Sequence, residues 1–356
     1  MEKLGLATQT MFAELVTRCL DAEFDETYDE RGTFIKKRSK GRQYWQHQRK
    51  IRGKVVSLYV GPVADESITD RIKRFAEIKS DFKGRREMVR ALVAAGLPAT
   101  DALTGKVVEA MWKAGFFRLR GVLVGTVAYQ AYAGLLGTKL TGTAIQTQDV
   151  DFAQFWGIAK NVGDSMPPIP DVLRAVDPTF REIPNLADPI VATGYRNASH
   201  YKVEFLTPNR GNQAFQGRPA RMPALGGAGA QPLRHLDFLV HQPERSLLLY
   251  GGGVPVTVPR AERYAVHKLI VAVERENQAK ARKDIMQAEQ LIAILSEQRP
   301  AELAEAWEIA RSAGPRWRTK LERGRARLGP DAEATLARVI ARGNETDRTQ
   351  RTRRQV

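Results

Sequence analysis

Apolar and polar positions alternate with different periods along the chain, and this pattern separates a strand-rich centre from helical regions on either side. Residues 1–30 begin at the helical period and end in an acidic stretch. Residues 33–60 alternate around a glycine-containing turn, which predicts a small antiparallel β meander. Residues 65–117 return to the helical period, with a break at residues 95–98 (AGLP).

The centre of the chain predicts a strand, a turn, a helix and then further strands. The apolar run Leu119–Val124 ends at Gly125, and VAYQAYAGLLG follows at helical spacing. TQDVDFAQF and HYKVEFLTP each predict a strand. The stretch 208–232 is rich in Gly, Pro and Ala and predicts a long surface loop, whereas LDFLV and SLLLYGGGVPVTVP predict further strands.

Helical spacing resumes at Arg260 and continues to about Arg342, and a polar, basic tail follows that we expect to be disordered. These elements predict an α+β protein in which helices flank a mixed β-sheet. The predicted divisions are 1–64 (N-terminal helix and basic meander), 65–104 (helical connector), 105–259 (core), 260–342 (C-terminal helical domain) and 343–356 (disordered basic tail).

The charge balance suggests a polyanionic partner. The net charge is +16 at pH 7 and the isoelectric point is about 10.0, which favours binding of nucleic acid or nucleotides through phosphate neutralisation. A basic balance that only aids solubility is the alternative. The meander combines cations with aromatic rings, which can contact phosphates and stack on bases, or it is a solvated hairpin held by one aromatic ring. The candidates are Lys36, Lys37, Arg38, Tyr44, Trp45 and Arg49.

Composition also narrows the class of protein. The chain has 356 residues, of which 43% are hydrophobic and 27% charged, as in globular proteins. No apolar run approaches the length of about 20 residues that crosses a bilayer, and the first residues lack the features of a signal peptide. The single cysteine, Cys19, excludes an internal disulfide. We therefore expect a cytoplasmic protein with no membrane partner.

Asp149 and Asp151 are the strongest candidates for chemistry. Side chains alternate along a strand, so the two carboxylates share one face, with their Cα atoms about 6.5–7 Å apart. Oxygen ligands so placed can converge on a divalent metal ion, although a solvated edge strand also produces this pattern. Glu204 is the third candidate, because a strand pairing beside this one would add its carboxylate; the alternative is an exposed glutamate on an edge strand.

Gly125 and Thr126 predict a phosphate-binding turn. A glycine between a strand and a helix lets the backbone approach a phosphate closely, and the helix N-terminus adds N–H donors and a positive dipole end. The threonine adds a hydroxyl donor. Ordinary turn chemistry with a capping threonine is the alternative.

The segments GVLVGTVAYQAYAGLLG, TQDVDF and YKVEFLTP together resemble the DNA polymerase β nucleotidyltransferase superfamily. The closest likeness is to an uncharacterised bacterial nucleotidyltransferase-like family, which in turn resembles the abortive-infection nucleotidyltransferase toxins. It covers about residues 85–300, and its motifs are specific in combination. Thr126 stands where the superfamily usually has serine, which keeps the hydroxyl. The segment from Gly125 to Asp149 is longer than in minimal members, which suggests an extended helix or an inserted loop.

The resemblance implies the nucleotidyltransferase fold and a reaction in which Asp149, Asp151 and Glu204 bind Mg²⁺ or Mn²⁺ and an NTP is the substrate. It also implies that Lys268 faces the triphosphate and that Lys283 and Asp284 lie near the mouth of the site. Tyr264 lies one helical turn before Lys268 and could stack on or bond to the nucleotide. The alternatives are a solvated helix lysine at position 268 and, at position 284, an N-terminal helix charge favoured by the dipole.

The leading hypothesis is therefore transfer of NMP from an NTP to an RNA hydroxyl, with the 3′ end of tRNA as the foremost acceptor. The resemblance adds a role as a toxin or phage-defence component, with an antitoxin as partner. The alternatives are nucleotidylation of a protein or small molecule, and a non-catalytic nucleic-acid-binding module that retains the fold.

Overall fold

A small antiparallel sheet near the N-terminus packs against a long helix. The computed structural model describes residues 2–21, 32–39, 42–51, 54–140, 142, 147–156, 165–185, 187–188, 191–209 and 218–354. The elements in this part are α1 (Leu6–Asp21), β1 (Thr33–Ser39), β2 (Arg42–Ile51), β3 (Lys54–Pro62) and α2 (Glu66–Ala94). Phe34 and His47 pair across β1 and β2, and both rings contact Phe75 of α2 with centroid distances of 4.7 and 5.8 Å. The predicted meander is confirmed.

A mixed sheet forms the centre of the molecule. Its elements are α3 (Ala102–Lys113), β4 (Val122–Val124), α4 (Gly125–Leu135), β5 (Asp149–Ala153), α5 (Ile169–Val176), β6 (Arg181–Ile183), β7 (Gly194–Arg196), β8 (Lys202–Pro208), β9 (Ala220–Arg221) and β10 (Gly229–Leu233). The strand order is β4-β5-β8-β10-β9, and β7 pairs with both β6 and β8. Strand β4 is antiparallel to β5, whereas β5 and β10 are parallel to β8.

The two faces of the central strands have opposite chemistry. Val150, Phe152, Val203 and Phe205 are fully buried on one face. There Phe152 and Phe205 stack at 5.6 Å, and Phe116 meets both rings edge-on. Because side chains alternate along each strand, Asp149, Asp151, Lys202 and Glu204 lie on the other face.

A β-hairpin and a helical region complete the fold. The remaining elements are α6 (Leu236–Leu239), β11 (Glu244–Leu248), β12 (Val254–Val258), α7 (Ala261–Glu274), α8 (Gln278–Gln298), α9 (Pro300–Ser312), α10 (Pro315–Arg325) and α11 (Pro330–Arg354). Strands β11 and β12 pair antiparallel around the glycine turn, as predicted. Each of the last three helices begins at a proline, whose missing N–H and restricted φ suit the first helical position. This arrangement confirms the predicted α+β class with a nucleotidyltransferase fold.

Three segments differ from the predictions. LDFLV was predicted as a strand, but Leu236–Leu239 form one helical turn, because so short an apolar run fits either period. The predicted loop 208–232 contains strands β9 and β10, which pair with each other even though glycine and proline interrupt them. The tail is helical as far as Arg354, since no proline or glycine interrupts residues 344–354.

Parts of two predicted segments cannot be compared with the structure. The acidic stretch 22–31 and residues 210–217 of the predicted loop lie outside the described residues. Across the described part of the chain, none of the helices combines the length and apolarity that crossing a membrane requires.

Candidate active site

Strand pairing brings the three predicted carboxylates to one face of the sheet. Asp151 of β5 lies directly opposite Glu204 of β8, and Asp149 lies opposite Lys202. Directly opposed residues share a face, and Asp149 lies two positions from Asp151, so all three acidic side chains project to the same side. The strand pairing on which the prediction of Glu204 depended, between β5 and β8, is therefore present.

Asp151 is the most perturbed of these acids. Desolvation raises its pKa to about 7, and the nearby charges of Asp149 and Glu204 add to the effect, while Lys268 and Arg275 partly oppose it. A carboxyl group in this position resists ionisation because its charge is both removed from water and repelled. A cation bound beside Asp151 would reverse both penalties.

Asp149 has the opposite shift. Burial alone would raise its pKa, but a hydrogen bond from Thr147 and the positive charges of Lys280 and Lys283 lower it overall. The Nζ atom of Lys280 lies 3.6 Å from Oδ2 of Asp149, and the Thr147 hydroxyl donates to Oδ1. The two aspartates therefore differ: one is held ionised by neighbouring donors, and the other is poised to exchange a proton near neutral pH.

Glu204 lies in register but is engaged elsewhere. Its Oε1 atom accepts a hydrogen bond from Nζ of Lys202 at 2.7 Å, on the same strand face. Over the described ranges, no three His, Cys, Asp or Glu side chains form a ready metal-binding group. The aspartate pair fits a divalent cation, as oxygen donors whose mutual repulsion a cation would relieve. Glu204 would have to leave Lys202 to join it.

Gly125 touches the carboxylate cluster directly. It is the first residue of α4 and has φ +69°, a backbone conformation that favours glycine. A Cβ atom at this position would lie 2.4 Å from Oδ2 of Asp151. The glycine is therefore required both by the backbone conformation and by the close approach of the Asp151 carboxylate.

The start of α4 has the features of an anion site. Val124 occupies the N-cap position and, as a valine, has no side-chain oxygen with which to satisfy the first N–H groups. Thr126 follows at the second helical position and is half-buried. Backbone donors and the positive end of the helix dipole thus lie beside the carboxylates, where an NTP phosphate chain would need them.

Tyr264 supports this turn from behind. Its side chain is buried, 1% exposed, and its hydroxyl lies 2.9 Å from the carbonyl oxygen of Gly125 and 2.9 Å from Oε1 of Gln287. In this structure its ring packs against Tyr129 and Tyr132, which leaves no face for a nucleotide base. Its contact with the site is made through the backbone of Gly125.

Lys268 and Asp284 form a buried ion pair rather than an open binding surface. Nζ of Lys268 lies 2.5 Å from Oδ1 of Asp284, and Nε of Arg275 lies 3.0 Å from Oδ2. Burial would raise the pKa of Asp284, but these two cations lower it overall. Arg275 is the most exposed of the three, with 41% of its side chain accessible. Asp284 thus positions the two cations whose charges act on Asp151.

Lys280 and Arg275 are site residues that the sequence reasoning missed. Asn277 caps α8 by accepting hydrogen bonds from the N–H groups of Ala279 and Lys280. Helix starts favour acidic residues, yet this first turn has none, and Lys280, Arg282 and Lys283 follow the cap closely. Basic residues near a positive helix end suggest a nearby anion, and this signal is readable in the sequence once the cap is recognised.

The predicted nucleic-acid residues of the meander lie on both of its faces. Lys36 pairs with Trp45 across the strands, on the face that contacts α2. Nζ of Lys36 lies 5.0 Å from the Trp45 ring, and the indole N–H donates to Thr69 of α2. Arg38 shares this inner face by register, while Lys37 and Tyr44 lie on the outer face. Trp45 therefore fastens the sheet to the helix. Arg49 lies farther along β2 and is half-buried.

The fold and the site define a protein of the nucleotidyltransferase class. A family model described as nucleotidyltransferase matches residues 102–312, more than half of the chain. The chain belongs to this nucleotidyltransferase family, whose general activity is transfer of a nucleotidyl group. The matched range contains all the described carboxylates and cations of the site and excludes the meander. No curated protein and no solved structure matches the chain.

Proposed function

We propose that this protein uses a divalent metal ion to transfer NMP from an NTP to a hydroxyl group of RNA, with the 3′ end of tRNA as the first acceptor to test. The observation that carries this proposal is the position of Asp151. It lies in register with Glu204, on one face with Asp149 and against the Gly125 turn. Carboxylates beside a helix N-terminus can hold a cation and a phosphate chain in adjacent positions.

Asp149 and Asp151 are the residues that would hold Mg²⁺ or Mn²⁺. When bound, such an ion neutralises phosphate charge and lowers the pKa of an attacking hydroxyl. The raised pKa of Asp151, about 7, fits a donor that needs a cation to stay ionised. The lowered pKa of Asp149 fits a donor already ionised at neutral pH.

The chain's other residues bind and orient the substrate. The N–H groups at the start of α4 and the hydroxyl of Thr126 hold the β- and γ-phosphates, and Lys280, beside Asp149, contributes positive charge. The acceptor oxygen forms a bond to the α-phosphorus, the bond from that phosphorus to the β-phosphate oxygen breaks, and pyrophosphate leaves. Glu204, once released from Lys202, would either accept the hydroxyl proton or add a ligand beside Asp151.

The charge of the protein supports a nucleic-acid acceptor. The net charge of +16 favours a polyanion over a neutral small molecule. Lys37 and Tyr44 lie on the outer face of the meander, away from α2, where a cation and a ring can meet a nucleic acid. The likeness to abortive-infection toxins adds the expectation that expression slows growth and that an antitoxin relieves the effect.

The experiment supplies each α-³²P-labelled NTP with Mg²⁺ and total RNA or lysate, and follows the label. We expect labelled RNA with the unaltered chain and none with Asp149→Asn. The matched control is Asp171→Asn, which neutralises an exposed acid on α5 and should transfer normally. Label on protein would show that the acceptor is a protein and would contradict the proposal of an RNA acceptor. Equal labelling by Asp149→Asn and the unaltered chain would contradict the proposed site.

A further inference from the structure

A cavity, here called the distal cavity, lies at the end of the β4–β5 pair away from the carboxylates. Its volume is about 1010 Å³, at the upper end of the roughly 300–1,000 Å³ typical of ligand pockets. Val122 at the start of β4 lines it, as does Phe155 just beyond β5. Phe155 follows Asp151 by four positions, about 13 Å along an extended chain. Asp149, Asp151 and Glu204 do not line it.

The lining of this distal cavity is cationic. Lys113, Arg118, Arg120 and Arg245 all contribute, and the described residues around it include no Asp or Glu. Lys113 is paired with Glu109 at 3.2 Å, but neither Arg120 nor Arg245 makes an ion pair with a described residue, and both are exposed. Arginines without internal acids suit external phosphates, which they bind with two parallel N–H donors.

Aromatic rings are set among these cations. Phe155 is 38% exposed, and the half-buried Phe117 lines the same cavity. Exposed rings beside arginines provide stacking surfaces for bases next to donors for phosphates. Arg120 and Gln242 also have positive φ angles (57° and 50°), a backbone conformation whose cost is often accepted at binding sites.

We propose that this distal cavity binds one or two nucleotides of a single-stranded nucleic acid, apart from the catalytic site. Arg120 and Arg245 contact the phosphates and Phe155 stacks on a base. A single-stranded nucleic acid is favoured over a free nucleotide as the ligand of this cavity, because the whole chain carries a charge of +16, which attracts a polyanion over a long range. The site does not depend on the proposed catalytic activity, since it requires neither NTP nor metal.

The test measures binding with transfer switched off. The full chain with Asp149→Asn and Asp151→Asn, in EDTA, is titrated with a fluorescein-labelled oligouridylate of about ten nucleotides. We expect Arg120→Gln with Arg245→Gln to weaken binding about tenfold and to reduce the log–log salt slope by about 1.4, at about 0.7 per phosphate contact. Phe155→Ala should weaken binding about fivefold or more.

The matched control removes the same charge elsewhere. Arg316→Gln with Arg323→Gln changes two exposed arginines on α10 and should leave affinity within about two-fold. An equal loss in this control would overturn the distal cavity as the site and would indicate only a general charge effect. Binding unchanged by all of these variants would overturn it as well. ATP competing as tightly as the oligonucleotide would overturn the polymer assignment.

Cross-linking locates the contact directly. A 4-thiouridine oligonucleotide irradiated with the chain should become attached within residues 112–120, 153–156 or 241–245. Attachment confined to the β1–β2 segment, residues 33–51, would contradict the proposal. This readout needs no substitution in the cavity, so it decides the question even if an arginine variant fails to fold.

Discussion

The two ends of the β4–β5 strand pair carry opposite electrostatic arrangements. At the Gly125 end, carboxylates lie among cations, and most of the charges find partners within the chain. At the Phe155 end, arginines line a cavity to which no described acid contributes. Internal pairing of acids and bases organises chemistry, because it sets which group is ionised. Arg120 and Arg245 make no ion pair with another described residue, and such cations organise binding because their counterions must come from outside.

The largest expected effect separates the two ends completely. Asp151→Asn should lower nucleotidyl transfer about 10³-fold or more, since it removes a charged oxygen donor, while oligonucleotide binding at the distal cavity stays unchanged. Initial rates at saturating NTP and fluorescence anisotropy measure the two properties in parallel, with Asp171→Asn as the matched control. A parallel loss of nucleotidyl transfer and oligonucleotide binding would show that the two ends form one site.

The same variant has a predicted effect on stability. The pKa of Asp151 in the folded protein, about 7, lies above its ordinary value of 3.8, so folding favours the protonated form of this carboxyl group. Ionisation of Asp151 therefore lowers the free energy of unfolding. The loss is complete above pH 7 and disappears as the pH falls towards 4. Without metal, Asp151→Asn should melt a few degrees higher than the unaltered chain at pH 8 and equally at pH 4. Adding Mg²⁺ should raise the melting temperature of the unaltered chain only.

Gly125→Ala should have the next largest effect. The new methyl group would meet the Asp151 carboxylate in a backbone conformation with φ +69°, and we expect transfer to fall about 100-fold. Gly251→Ala is the matched control, because its φ is +60° but no atom lies within 4 Å of the added Cβ. Similar losses of activity in both variants would show that backbone strain alone matters and that contact with the carboxylate does not.

The sequence predicted the Gly125 end of the strand pair far better than the Phe155 end. Asp149, Asp151 and Gly125 are readable because a strand period and a strand-to-helix turn determine their neighbours locally. Arg120 and Arg245 are 125 positions apart in the chain, and only the packing of the β11–β12 hairpin beside β4 brings them to one cavity. The sequence did not reveal burial either. Lys268 was predicted to face the triphosphate and Tyr264 to stack on or bond to the nucleotide, and the structure places both side chains in the interior.

A smaller effect is expected at Lys280. Its ammonium group lies 3.6 Å from Asp149, beside the position proposed for the phosphates, so Lys280→Gln should raise the KM for NTP about tenfold and change kcat less. Arg282→Gln is the control, since it removes the same charge two positions away on the exposed surface of α8. Equal changes in KM would mean that α8 acts through its overall charge and that Lys280 makes no specific contact.

The smallest expected effect tests whether contacts within the protein set the geometry of the Gly125 end. Tyr264→Phe removes the hydroxyl that contacts the Gly125 carbonyl and Gln287, so kcat should fall about three- to tenfold while the KM for NTP changes little. Loss of these contacts should also lower stability by about 1 kcal/mol. Tyr129→Phe removes a buried hydroxyl from the same aromatic cluster, but that hydroxyl bonds to Gln290 and not to Gly125. Because only the first variant frees the Gly125 turn, kcat should fall in Tyr264→Phe alone, although both variants melt at lower temperature. A matching fall in kcat for Tyr129→Phe would assign the effect to general loosening of the core, and the internal contacts of this end would then stabilise the fold without setting the geometry of the turn.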